Sequence, residues 1–326
     1  MKIAFIGGNG HHYLKGVLTD PTIAISAVAA AGDGADEAGA QRMAANLPGA
    51  IKPQWFASAA EMLDQFQPDV VSVGAVYAHN GSMVAHCLER CIPVCSDKPI
   101  AVTWEQFEQV RNLAQRANTP LATEFDFRSR AEFRAARLAV REGHIGAPVL
   151  VTAQKSYRFG ASRPAWYAQR AQYGGTILWV ASHGIDALRF VTGRRLVRVT
   201  GKQGNIAKPD YGSMEDHTFN LFEFEGGATG AVHADFLRAA QAPTHGDDRL
   251  RLIGTLGQLE VRDGRCKLIT HTQAETDITP RVQPEPIHRE ILAALQGKDH
   301  DLYGTAQSLE LAAVLLAARD GADQQT

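Results

Sequence analysis

The chain has no excess of either charge: 33 Lys and Arg face 35 Asp and Glu, for a formal net charge of −2. It therefore carries no electrostatic footprint for nucleic acid or an anionic membrane as partner. No apolar run approaches the ~20 residues of a membrane span. The opening MKIAFIGGNG has one Lys and too short an apolar stretch for a signal peptide, and it reads as a first β-strand of a cytoplasmic protein. Cysteines number only four, as suits a reducing compartment. Cys87, Cys91 and Cys95 are spaced by four with His86 beside them, a spacing that matches none of the usual zinc or iron–sulfur patterns. Buried, inert thiols and no metal are expected. Repeats are missing too, and the one polar tail lies over 321–326.

What is there divides in two. A chain of 326 residues exceeds what one core usually serves, and 45% hydrophobic against 21% charged is ordinary for a globular protein. Short apolar runs over 2–6, 23–30, 69–76, 93–96 and 121–125 alternate with helical patterns over 36–47, 82–90 and 104–117. That alternation predicts a parallel sheet with helices on both faces. Past residue 147 come strands over 149–157, 218–224, 229–236, 249–253, 258–261 and 265–270, with helices over 179–191, 287–295 and 305–319. Asp263-Gly264 joins the last strand pair as a hairpin. The expected fold class is α/β: a Rossmann-type, doubly wound parallel sheet over 1–125, then an α+β domain with a large, mainly antiparallel open sheet over 126–326.

Three stretches carry candidate chemistry. IGGNGHH, residues 6–12, follows the first strand directly, where a glycine-rich turn would hold a dinucleotide pyrophosphate on backbone N–H groups. The pattern G-x-G-x-x-G is incomplete: Gly7 fills the first position, while Asn9 and His12 stand where the other glycines belong. Gly7, Gly8, Asn9, Gly10, His11 and His12 are the candidates for that contact, with Val76 and His79 at the end of the strand that begins at Asp69. The second strand lacks the carboxylate that normally holds a ribose 2′-OH, and Asp33 is the nearest acid. NAD through Asp33, or NADP with no acid to repel its phosphate, both fit, with NAD slightly ahead.

CSDKPIAVTWEQ, residues 95–106, sets Asp97 and Lys98 at the carboxyl end of a parallel strand, where ligands of open α/β sheets gather. GGTILWVASHGID, residues 174–186, puts Trp179, His183 and Asp186 on one helix face, because residues three, four and seven apart are stacked neighbours.

The order of these motifs resembles the Gfo/Idh/MocA oxidoreductases over nearly the whole chain: a dinucleotide domain, Asp97-Lys98-Pro99, then Gly174-Gly175 leading to His183 and Asp186. The resemblance implies NAD(P)-dependent oxidation or reduction of a sugar, polyol or glycoside. It also implies a homo-oligomer, dimer or tetramer, formed through the open sheet. Lys98 and His183 inherit active-site roles from it, Asp97 stands in for the usual Glu, and Asp186 carries over. The family's aspartate, four residues before the histidine, is Trp179 here.

His suits removal of a hydroxyl proton because its ordinary pKa, ~6.5, is near neutrality, and Lys98 can stabilise the developing alkoxide. Trp179 accepts no proton; it offers a flat apolar surface to a sugar ring and one N–H donor. KSYRFGASRPAWY, residues 155–167, adds Tyr157, Arg158, Arg163, Trp166 and Tyr167, and Arg128 follows the strand ending near Phe125. Aromatics interleaved with arginines suit sugar or carboxylate recognition. His233 and Asp235 share a strand face by alternation and read as a polar sheet surface. Two rival functions fit the same fold: a non-catalytic nucleotide-binding sensor, and an NAD-dependent lyase or glycosidase with transient oxidation. Retention of Lys98 and His183 favours a dehydrogenase acting on CH–OH groups.

Overall fold

The computed structural model describes residues 1–160, 163–298 and 301–324. The chain divides into two compact units, the first made of residues 1–124, 171–174 and 286–313, the second of 125–170, 175–285 and the chain from 314 on.

Six parallel strands build the first unit: β1 (Lys2–Ile6), β2 (Ala27–Ala31), β3 (Gln54–Phe56), β4 (Val70–Val73), β5 (Val94–Ser96) and β6 (Leu121–Thr123), in the order β3-β2-β1-β4-β5-β6. Helices α1 (Glu37–Ala45), α2 (Ala59–Phe66), α3 (Tyr77–Glu89) and α4 (Trp104–Ala117) connect them. β4 and β5 are buried throughout, which is why they read as continuous apolar runs. Asp36, Ser58 and Thr103 each accept a hydrogen bond from the backbone N–H three residues on, satisfying donors that the first helical turn leaves open. Strand order reverses between β1 and β4, a switch point at whose carboxyl end such sheets bind ligands.

Boundaries shifted where an apolar run passes from strand into helix. The run expected as a strand over 69–76 ends at Val73, and α3 starts at Tyr77. His79, expected at a strand end, therefore stands in the first turn of α3; apolarity alone does not separate a buried strand from a buried helix start. Cys87 and Cys95 are buried as expected, whereas Cys91 is exposed. It follows α3 in a left-handed turn (φ 55°) that takes it off the buried helical face.

The second unit is built on eight strands: β7 (Pro148–Tyr157), β8 (Leu196–Gly204), β9 (His217–Phe224), β10 (Thr229–Asp235), β11 (Gly246–Gly254), β12 (Gly257–Arg262), β13 (Arg265–Thr270) and β14 (Thr276–Asp277). Their order is β14-β13-β12-β11-β7-β10-β9-β8. Every pairing is antiparallel except β7 with β10. Asp263 and Gly264, both with positive φ, close the two-residue turn between β12 and β13. α5 (Ala131–Arg141) packs on β12 and β13, α6 (Arg170–Tyr173) is a single turn, and α7 (Ser182–Thr192) packs on β7 and β10. Along β9, Thr218, Asn220, Phe222 and Phe224 are buried while Phe219 and Leu221 are about half exposed, the alternation of a sheet with one open face.

Residues 286–313, which the sequence pattern assigned to the second domain, pack within the first unit. α8 (Ile287–Leu295) brings His288 and Arg289 onto buried Asp20, each with a contact at 2.9 Å. Thr305 and Ser308, at the start of α9 (Thr305–Asp323), accept hydrogen bonds from the N–H groups of Leu121 and Thr123. The β6 edge is thereby covered. Among the described residues, no helix is long and apolar enough to cross a membrane.

Candidate active site

The glycine turn after β1 has no room for side chains. Gly7 and Gly10 adopt φ of 80° and 65°, values that other residues rarely tolerate. A Cβ at Gly7 would lie 2.5 Å from the Gly74 carbonyl oxygen, one at Gly8 2.1 Å from the Gly39 carbonyl carbon, and one at Gly10 1.7 Å from Asp97 Oδ2. The backbone is therefore bare at the carboxyl end of β1, the kind of cradle into which a dinucleotide pyrophosphate fits. A 3₁₀ turn, Tyr13–Leu18, follows it rather than an α-helix.

Several of the candidate cofactor residues brace this turn. His12 is buried, with Nδ1 2.8 Å from Ser72 Oγ and Nε2 3.3 Å from the Gly7 carbonyl oxygen. Burial pushes its pKa down to about 4, against the raising effect of Asp97, so the ring is neutral near pH 7. Asn9 donates to Asp36 at 3.3 Å. His11 stays partly exposed, 3.4 Å from Asp97 Oδ1 and stacked on Tyr13. Asp33, expected to face a ribose, has both oxygens on backbone donors: Oδ1 accepts from Ala35 and Asp36, and Oδ2 from Val76 at 2.5 Å. Its carbonyl oxygen lies 3.0 Å from His79 Nδ1. Asp33 and its neighbours thus tie the loop after β2 to the loop after β4.

Asp97 and Lys98 are buried at the end of β5, and Glu124, which no motif singled out, is buried just past β6. Glu124 Oε1 accepts from the Tyr13 N–H at 3.0 Å and from the Cys95 thiol at 3.5 Å. Burial, reinforced by the charge of Asp97, pushes the Glu124 carboxyl far up despite these bonds and Lys98. The cluster thereby biases the Glu124 carboxyl toward its protonated form. Its place, at the carboxyl end of a strand neighbouring that of Lys98, is the signal that could have found it.

In the second unit, the stretch from Gly175 runs through a π-helical turn, Ile177–Ala181, into α7, a local widening often found at functional sites. Trp179, His183 and Asp186 are all buried. His183 Nδ1 stands 3.3 Å from Oδ1 of Asp126, an acid on the 3₁₀ turn Asp126–Ser129 that sequence reasoning missed. Burial opposes ionisation of Asp126, but its contact with His183 and the charges of His183, Lys155 and Arg130 win, holding the carboxyl well below its usual range. Phe125 and Phe127 flank the imidazole at 5.9 and 5.3 Å.

Arg128 and Asp186, both expected to meet substrate, meet each other. Nε donates to Oδ2 at 2.9 Å and Nη2 to Oδ1 at 2.5 Å, with both side chains buried. This bidentate pair fastens the turn carrying Asp126 to the helix carrying His183. Tyr157 lies under Lys155, whose Nζ is 4.8 Å from the ring centre and 2.8 Å from Asp248. Arg163 covers the rings of Phe236, Tyr167 and Phe159 at 4.3, 5.2 and 5.6 Å. Trp166 stacks on Tyr167 at 4.1 Å, and Tyr167 meets Trp179 edge-on at 6.5 Å. Arg158 pairs through its backbone with Leu237. His233 and Asp235 bond Gln154 and Ser156 across the sheet. Within the stretch 155–167, residues 161 and 162 lie outside the described residues, as do the last two of the tail. Among the described residues, no group of three or more His, Cys, Asp or Glu could hold a metal ion.

Residues 1–125 match the model of an oxidoreductase family with an NAD-binding Rossmann fold, and residues 133–260 match the GFO/IDH/MocA C-terminal domain. A solved oxidoreductase-like protein of Thermotoga maritima is 30% identical with a TM-score of 0.91, the match covering 100% of this chain and 99% of that one. Two curated relatives match in part. One is the 1,5-anhydro-D-fructose reductase of Ensifer adhaerens, 33% identical over 99 residues and 30% of each chain. The other is the D-glucoside 3-dehydrogenase of Escherichia coli K12, 28% identical over 182 residues and 51% of each chain. The matched segments span under a third and about half of those relatives' lengths.

Proposed function

Because the chain belongs to the Gfo/Idh/MocA family of NAD-binding oxidoreductases, we propose that it moves hydride between a nicotinamide dinucleotide and a carbon of a sugar, polyol or glycoside. The observation that carries this reading is the contact between His183 and Asp126, 3.3 Å apart on a buried imidazole. A carboxylate at Nδ1 favours the tautomer with its proton there and leaves Nε2 as the acceptor. A protein that only sensed nucleotide would have no use for such a base.

The bare backbone at Gly7, Gly8 and Gly10 would hold the dinucleotide, with His11 and Asp97 beside it. The nicotinamide ring, when bound, supplies the hydride acceptor or donor. His183 takes the hydroxyl proton at Nε2 in oxidation and returns it in reduction, while Asp126 stabilises the imidazolium that forms. Lys98 donates to the reacting oxygen and offsets its developing negative charge. Trp179, in edge contact with Tyr167, offers a ring face to the C–H surface of a sugar. The sugar-like substrate is supported by the names of the two partial relatives, a reductase of anhydro-fructose and a glucoside dehydrogenase. Self-association in the cytoplasm through the open sheet face, which shows Phe219 and Leu221, completes the reading.

Calorimetric titration with NAD(H) and NADP(H), followed by a sugar panel on the binary complex, tests it. The expected result is saturable nucleotide binding and nicotinamide-coupled turnover of a sugar-like alcohol or ketone. Failure of both nucleotides to bind would overturn the proposal.

A further inference from the structure

The end of β2 carries a carboxylate that the strand itself does not provide. β2 stops at Ala31 and is followed by Gly32, buried and without a side chain. Two nearby acids are already engaged. Asp33 spends both oxygens on three backbone N–H groups. Asp36 caps α1 by accepting from the Gly39 N–H at 2.9 Å and also accepts from Asn9.

Glu37 is the third acid. It lies exposed in the first turn of α1, and its carboxylate folds back over the strand end. A Cβ built on Gly32 would lie 1.9 Å from Glu37 Oε2, and the three atoms nearest to it all belong to the Glu37 carboxyl group. Gln41 Nε2 holds the other oxygen at 3.5 Å. The carboxylate thus fills the space that a side chain at the strand end would occupy. Gly8 packs against the Gly39 backbone, so this same turn of α1 abuts the pyrophosphate cradle. The basic residue of α1, Arg42, sits in its last turn, away from Glu37.

We propose that Glu37 selects the dinucleotide, accepting hydrogen bonds from the adenosine ribose hydroxyls and repelling a 2′-phosphate, so that NAD(H) is taken over NADP(H). The missing acid of β2 is thereby supplied from the neighbouring helix, and Gly32 is what leaves room for it. This inference rests on the nicotinamide reading above.

Fluorescence titration measures the affinities of NADH and NADPH without turnover. The wild-type protein is expected to bind NADH more tightly by roughly tenfold or more, because like charges face each other in the NADPH complex. Glu37→Gln removes the charge at an exposed position that does not threaten folding, and should shrink the ratio about tenfold, chiefly by tightening NADPH. Gly32→Asp combined with Glu37→Ala returns a carboxylate to the strand end and should restore the preference, which a merely structural role for Glu37 would not produce. Equal affinities in the wild-type protein, or an unchanged ratio in Glu37→Gln, would overturn the inference and leave the nicotinamide reading standing. Binding of neither nucleotide would overturn both.

Discussion

Asp126 Oδ1 lies 3.3 Å from Nδ1 of His183, so the imidazole has a carboxylate partner although Trp179 stands one helical turn before it. The partner comes from the turn after β6, and the buried Arg128–Asp186 pair holds that turn to α7. Charge that a helix neighbour would have contributed arrives from another element of the same unit.

Asp126→Asn keeps the shape and removes that charge. Turnover is expected to fall roughly a hundredfold. The acidic limb of the pH–rate profile should move to lower pH, because a carboxylate beside an imidazole favours the protonated ring. Steady-state rates across pH check both; a role in packing alone would leave the limb where it is.

The stacking role proposed for Trp179 separates binding from chemistry. Trp179→Ala removes a ring face while keeping the proposed acid–base groups His183 and Asp126, so KM for the sugar should rise up to about tenfold while kcat changes little. Trp179→Phe keeps most of that surface and should stay near wild type. Initial-rate measurements with an active sugar distinguish the two.

Breaking the Arg128–Asp186 pair strands a charge inside the second unit. Asp186→Asn is expected to cost about 3–5 kcal/mol in denaturant unfolding. Arg128→Met combined with Asp186→Leu should recover much of that loss, since no buried charge then lacks its partner.

His12 makes the first unit sensitive to acid. Its pKa is about 4 in the folded chain against an ordinary 6.5, so as pH falls through that window the unfolded chain binds a proton first. The stability contributed by the neutral ring is complete above the upper value and gone by the lower one. Its size is on the order of 3 kcal/mol. The advantage of the wild-type protein over His12→Asn should therefore shrink by that amount between neutral and acidic unfolding experiments.

Much of the architecture was legible because it is written locally. The buried runs of β4 and β5 announce a parallel sheet, Asp263-Gly264 announces a hairpin, and Lys98 and His183 sit in short motifs. Asp126 was not legible, since its partner His183 is distant in sequence; Glu124 was marked only by its place at a strand end, its bond to Tyr13 being equally distant. The return of 286–313 to the first unit likewise depends on Asp20, Leu121 and Thr123, contacts with no local period. His12 looked like a loop residue because nothing in IGGNGHH indicates that its ring turns inward to Ser72.

The most direct test of the central claim is a single-turnover measurement of nicotinamide reduction with an active sugar, comparing the wild-type protein with His183→Asn. Unchanged nucleotide affinity and a rate lowered at least about a hundredfold are expected in the variant. Equal rates in the two proteins would contradict that claim.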